Sequence, residues 1–207
     1  MKPTDPLKAI ERQAYTATFQ DGIYDLFWAA FFLVCAWIPV MEAFGISRAW
    51  LYPAFLIPVL IVWLGKRFIT VPRLGMVEFG SKRRNRRRLI TLISVAAIVL
   101  MLPLILIMTA NGVSAGMGWL FVALVAAPLF AIAVVSLDFS RMYIYAGLLI
   151  FAIVESEFLL RYLAQPYPAL IAFGIPGAAI TVYAVALLVK FIAAHPRPNT
   201  EITHVSR

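Results

Sequence analysis

The sequence predicts an all-α polytopic membrane protein: six transmembrane helices with both termini in the cytoplasm, preceded by a short interfacial amphipathic helix. Three observations predict it. The 207 residues are 63% hydrophobic and 14% charged, with a mean hydropathy of +0.90. An ordinary soluble domain is about 45–50% apolar and about 25% charged, and a soluble core of this length could not hide so much apolar surface. The apolar residues gather in runs approaching the roughly 20 residues that cross a bilayer. The basic residues gather between alternate runs. Eleven glycines, 13 prolines and one cysteine exclude collagen-like and disulfide-scaffold classes. No apolar run alternates as the strands of a membrane barrel do.

Residues 1–20 form an N-terminal cytoplasmic segment that reads as an interfacial helix. Asp5 can cap it, Pro6 suits its first position, and Leu7, Ile10, Ala14 and Ala17 share a face that Lys8, Glu11 and Arg12 avoid. Asp21-Gly22 breaks that helix and opens the first span. Acidic residues at the mouth of the first apolar run, with no small-residue cleavage site after it, exclude a secretory signal. The transmembrane domain, 21–193, holds apolar runs at 24–41, 50–64, 89–109, 118–137, 143–163 and 169–193. The second is short and carries Pro53 and Pro58, and its continuation through Lys66 and Arg67 can snorkel to the interface. Pro103 and Pro128 read as ordinary kinks in the third and fourth. The polar tail, 194–207, follows in the cytoplasm, with Pro196 and Pro198 keeping it from continuing the helix.

The formal charge is +8. In a soluble chain such an excess would point to nucleic acid; in a membrane chain it first reports orientation. With the N-terminus inside, only Arg48 and Arg161 of the 18 basic residues fall on the outer side. That asymmetry places both termini in the cytoplasm, in a cell (inner) membrane, and an even span count agrees. Cys35 lies within the first apolar run and forms no intrachain disulfide, being the single cysteine.

The loop at 66–88 is the most informative segment outside the bilayer. Residues 70–75, Thr-Val-Pro-Arg-Leu-Gly, read as a turn with Pro72 at one corner, and 76–79 as a short extended piece. The run Lys82, Arg83, Arg84, Arg86, Arg87 and Arg88 then meets the third span. It reads either as a contact for anionic lipid head groups, at about 1 kcal/mol per basic residue, or as a topology signal that holds the loop inside. Nucleic acid is disfavoured: no aromatic residues interleave with the run. The stretch Thr70-x-Pro72-Arg73-x-Gly75-x-Val77-x-Phe79, with the entry Phe19, Asp21, Gly22, Tyr24 and Asp25, resembles a group of small uncharacterised prokaryotic multi-pass membrane proteins. The resemblance covers about the first 90 residues. It implies a bacterial or archaeal membrane origin and no particular activity.

Charges also stand within the fifth span. At 1.5 Å per residue, Glu155 lies about 18 Å deep and Arg161 about 27 Å, at the outer interface. Glu157 and Arg161 are spaced to pair along a helix, whereas Glu155 points roughly 200° away from Glu157. An ionised carboxylate at that depth costs several kcal/mol unless paired, hydrated or protonated. Glu155 therefore reads as an ion or proton site, or as a buried polar contact that locks helix packing or a partner subunit. Helix capping accounts for Asp21 and a positive neighbour from the basic loop for Asp25; two carboxylates without histidine make a poor metal site. In the sixth span, residues 173–177 (Phe-Gly-Ile-Pro-Gly) read as a kink packed closely at Gly174 and Ala178, or as the broken helix of a transporter site.

Two motifs fail on context. Residues 112–116 match G-x-S-x-G, but a span rather than a strand precedes Ser114, and His195 and His204 lie across the membrane from it. Glu157-x-x-x-Arg161 resembles part of the Glu-Glu-x-x-x-Arg motif of intramembrane prenyl-type proteases, yet position 156 is serine and no span holds a histidine. The sequence thus carries no expected catalytic, metal or cofactor residues. The expected role is that of a non-catalytic membrane-embedded interaction protein or complex subunit, alone as a homo-oligomer or with a membrane partner. The alternative is a small transporter or channel using Glu155 and the broken sixth helix. Cysteines introduced at residues 3 and 206 should both resist an impermeant thiol reagent in intact cells; labelling at both would invert the topology.

Overall fold

A computed structural model of the chain describes residues 20–47, 52–74 and 141–196. The regular elements among these residues are all helices, with no strand. Four helices are long and apolar enough to cross a membrane: α1 (Ile23–Ala43), α2 (Pro53–Arg73), α3 (Arg141–Leu159) and α4 (Tyr167–Ala194). They cover the first, second, fifth and sixth expected spans. The interfacial helix, the third and fourth spans, the basic run at 82–88 and the tail beyond residue 196 lie outside the described residues. Large apolar side chains stand exposed on all four helices, among them Trp63, Phe151, Ile175 and Val182, the last with 72% of its surface free. Contiguous apolar faces of this kind mark a membrane protein rather than a soluble one.

The chain divides into two compact units, residues 1–78 with 174–207, and residues 79–173. The first contains α1, α2 and α4 from Gly174 onward. Gly22 starts α1 in the left-handed conformation, φ 77°. The helix ends in a Schellman motif: the N–H of Gly45 bonds the carbonyl of Glu42 and that of Ile46 the carbonyl of Met41, with Gly45 at φ 82°. The buried residues Asp25, Trp28, Ala29, Phe32 and Ala36 recur at helical spacing. This stripe gives α1 a continuous packing face.

Small residues set how closely α4 approaches that face. A Cβ added to Gly177 would stand 3.1 Å from the Phe32 and Leu33 side chains, and one on Gly174 would stand 3.7 Å from the Cβ of Ala36. At the other end, a Cβ on Gly22 would meet the Ala184 carbonyl at 2.7 Å, so no larger residue fits there. As α1 advances from Gly22 to Ala36, α4 runs back from Ala184 to Gly174; the two helices are antiparallel. Close approach of small residues is the usual means of helix association where lipid removes the hydrophobic drive. The close contact falls on Gly174 and Gly177, not on Gly174 and Ala178, which is exposed.

The second helix departs from the expected outline. It does not end near Leu64 but runs on to Arg73. Residues Tyr52–Phe55 form a 3₁₀ turn, Leu56–Gly65 are α-helical, Lys66–Thr70 are π-helical and Val71–Leu74 return to α. The expected turn at 70–75 is therefore helical through Leu74. Proline lacks an N–H and crowds the carbonyl of the preceding turn. The π turn just ahead of Pro72 displaces that ladder, so the helix passes through the proline. The same arrangement recurs in α4, where the π segment Leu170–Gly174 precedes Pro176. The Gly/Pro sequence at 173–177 is thus helical rather than unwound. Gly65 brings α2 against α1, its Cβ position 3.0 Å from the Ile23 side chain. Phe31 meets Phe55 further along, with ring centroids 5.8 Å apart, so α1 and α2 are also antiparallel.

In the second unit, α3 buries Tyr145, Ala152 and Ile153. Ser156 returns its hydroxyl to the Ile153 carbonyl at 2.9 Å, which satisfies a polar group without a second helix.

Candidate functional site

Among the described residues of the first unit, a polar cluster forms where α1 begins. Asp21 and Asp25 are both fully enclosed, at 0% exposure. Asp21 precedes the Gly22 cap, and its Oδ1 accepts the Ile23 N–H at 3.1 Å. The carboxylate thus serves one of the donors that the start of a helix leaves free. Its other oxygen, Oδ2, accepts two side-chain donors from α2: Lys66 Nζ at 2.5 Å and Thr70 Oγ1 at 2.5 Å. Lys66 also lies over the Tyr24 ring, 4.8 Å from its centroid. Asp25 stands in the first turn of α1, where a negative charge is favoured by the helix dipole.

This geometry has a sequence logic. Gly22 in the left-handed region turns the chain so that Asp21 folds back over the first N–H groups. Glycine at 22 and 65 lets α4 and α2 close on that end. Lys66 and Thr70, four positions apart, share the side of α2 that faces Asp21. The capping expected of Asp21 is present, and the cation from the loop side reaches Asp21. The two stretches that carry the resemblance, Asp-Gly-x-Tyr-Asp at 21–25 and Thr-x-Pro-Arg at 70–73, meet through the Asp21–Thr70 bond. No spacing rule links residues 45 and 49 positions apart, so nothing in the residue pattern signals the contact beyond the placing of both ends at the same membrane face.

The intramembrane candidates occupy the end of α3. Glu155 and Glu157 are half-buried and Arg161 is exposed. The helix stops at Leu159, and the Arg161 N–H turns back to the Phe158 carbonyl at 3.2 Å. Arg161 is therefore out of helical register with Glu157, and no ion pair joins them among the described residues. Glu155 has no hydrogen-bond partner there either. Lys82, Arg83, Arg84, Arg86, Arg87 and Arg88 lie outside the described residues. No group of three or more His, Cys, Asp or Glu side chains able to hold a metal ion is present among the described residues. Neither a family model, nor a curated protein, nor a solved structure matches the chain.

An enclosed carboxylate that loses its cation is left as an uncompensated charge, at about 3–5 kcal/mol. Lys66 keeps 21% of its side chain exposed, so Lys66→Met should cost about 3 kcal/mol, the lower end of that range. Thr70→Val should cost about 1–3 kcal/mol. Because both donors share one oxygen, the double variant should depart from additivity by about 0.5–3 kcal/mol. Denaturant or thermal unfolding in detergent reads all three, and strict additivity of small losses would contradict a shared carboxylate.

Proposed function

We propose that this chain is a six-span protein of a prokaryotic inner membrane, with both termini cytoplasmic, that carries out no catalysis and acts through helix packing with itself or a membrane partner. The observation that carries this reading is the use to which the buried charge is put. Both oxygens of Asp21 are occupied, by Lys66, Thr70 and the Ile23 N–H. The cluster joins α1 to α2 and leaves that carboxylate engaged in structure rather than presented to a substrate. The close α1–α4 contacts at Gly174 and Gly177 serve the same end.

The arrangement of the first unit supports the topology. Helix α1 runs antiparallel to both α2 and α4, so the first and last spans cross in opposite senses. That requires an even number of crossings: four or six, not five. The length and hydropathy of 89–109 and 118–137 favour six, and the basic residues at 66–88 favour a cytoplasmic loop after α2. The bilayer is the first partner. Anionic head groups are the second, through the run from Lys82 to Arg88. The prokaryotic assignment rests on the resemblance.

One observation favours the transport reading instead. Glu155 stands half-buried in a span with no hydrogen-bond partner among the described residues, and intramembrane carboxylates commonly mark ion or proton paths. Glu155→Gln separates the two, because glutamine keeps the size and hydrogen-bonding capacity. Under the packing reading, proteoliposomes of the native protein show no pH- or ion-dependent flux, and the variant changes thermal stability or subunit association. Flux from the purified native protein that Glu155→Gln abolishes would establish transport in its place.

A further inference from the structure

Lys66 and Arg67 are neighbours in sequence and meet opposite surroundings. Lys66 turns inward to the enclosed Asp21 carboxylate. Arg67 points to another side of the helix. It is exposed, and no carboxylate pairs with it among the described residues. What it does meet is Trp63, one turn earlier: the guanidinium carbon stands 5.5 Å from the centroid of the exposed indole. Around this pair the outer surface of α2 is apolar, with Leu60, Leu64, Phe68 and Val71 all exposed. At 1.5 Å per residue, Pro53 to Val71 extends about 27 Å, close to the roughly 30 Å of a bilayer's hydrocarbon. Arg67 therefore leaves the helix about 6 Å inside the end of that apolar surface.

A charge at that level is costly unless its head reaches an opposite charge or water. Trp63 covers one face of the guanidinium, which leaves the N–H groups along its edge to be served. Those donors form a planar fork that matches two oxygens of a phosphate. Tryptophan, for its part, is enriched where lipid head groups begin. We propose that Arg67, held on the Trp63 ring, binds the phosphodiester of a membrane phospholipid whose acyl chains lie along Leu60 and Leu64. This site is separate from the run Lys82 to Arg88, which responds to the net charge of the head group. The fork reads the phosphate itself, present in zwitterionic and anionic lipids alike. It holds whichever way α2 crosses the bilayer, so it goes beyond the functional reading above and stands apart from its topology.

Native mass spectrometry of the full chain in a maltoside detergent tests this with two added lipids of the same acyl composition. Phosphatidylcholine carries the phosphate and no net charge, so the basic run has little hold on it. A glucosyl diacylglycerol carries neither phosphate nor charge. The native chain should bind its first phosphatidylcholine about tenfold more tightly than the glycolipid, the worth of one charge-assisted hydrogen bond. Arg67→Gln should abolish that preference and leave glycolipid binding unchanged, which also shows the variant folded. Where glycolipid binding falls as well, Arg67→Lys decides: it keeps the charge, lacks the fork and should lose most of the preference. Trp63→Leu should lower the preference about two- to fivefold by removing the stack. Glycerophosphocholine, the same head group without acyl chains, should not compete. Equal affinity of the native chain for the two lipids, which is what hydration of Arg67 alone would give, would overturn the proposal. So would a preference untouched by Arg67→Gln or by Trp63→Leu, or displacement of the lipid by glycerophosphocholine at equal concentration.

Discussion

A carboxylate enclosed in an apolar interior must be compensated, and the first unit is arranged around that requirement. Asp21 sits at the start of α1 with no exposed surface. Its charge cannot be left to lipid or water, so it needs donors from its own helix and from a neighbour. The Ile23 N–H supplies one, and Lys66 and Thr70 supply the others. This single demand fixes which face of α2 meets α1 and at what depth. Gly22, the next residue, fixes the approach of α4, because the Ala184 carbonyl occupies the space a side chain would need. Three helices are thereby aligned at one end by two consecutive residues.

From that end the packing proceeds by small residues. Gly65 lies against Ile23, Gly177 against Phe32 and Leu33, and Gly174 against Ala36. In a bilayer, burying apolar side chains between helices gains little over leaving them in lipid, so close backbone approach and satisfied polar contacts must hold helices together. The first unit uses both: polar contacts at the Asp21 end and small-residue contacts along α1 and α4. The wide apolar faces that remain, such as those of Leu56, Leu60 and Trp63 on α2, suit contact with lipid.

Much of the fold was legible because length and hydropathy alone decide whether a segment can cross a bilayer. The expected spans at 24–41 and 169–193 lie within two residues of α1 and α4 at every end. The second was read too short because Lys66 and Arg67 interrupt the apolar run. Neutralisation of Lys66 by Asp21 lets the helix continue, and that pairing joins residues 45 positions apart, beyond any periodic signal. Pro72 was read as a turn because proline usually ends a helix, and the π turn that accommodates it leaves no mark in composition. Close packing was expected at Gly174 and Ala178 and is found at Gly174 and Gly177 for a related reason. A helix that is apolar on all sides gives no moment from which to read its facing, and one residue is about 100° of rotation. In the candidate site the acidic partner was visible and its role as a cap readable; its donors across the helix interface were not.

The account stands on α1 as an antiparallel centre, with α4 closing on it at residues chosen for their size. The spacing of Gly174 from Ala36, 3.7 Å between Cβ positions, matches the roughly 3.5–4.5 Å that a disulfide spans. Oxidation of membranes containing Ala36→Cys with Gly174→Cys, in a Cys35→Ala background, should therefore link the pair within one chain nearly to completion. Ala36→Cys with Ala178→Cys should remain reduced. Failure of the first pair, or equal linkage of both, would contradict the packing on which the rest of the structure depends.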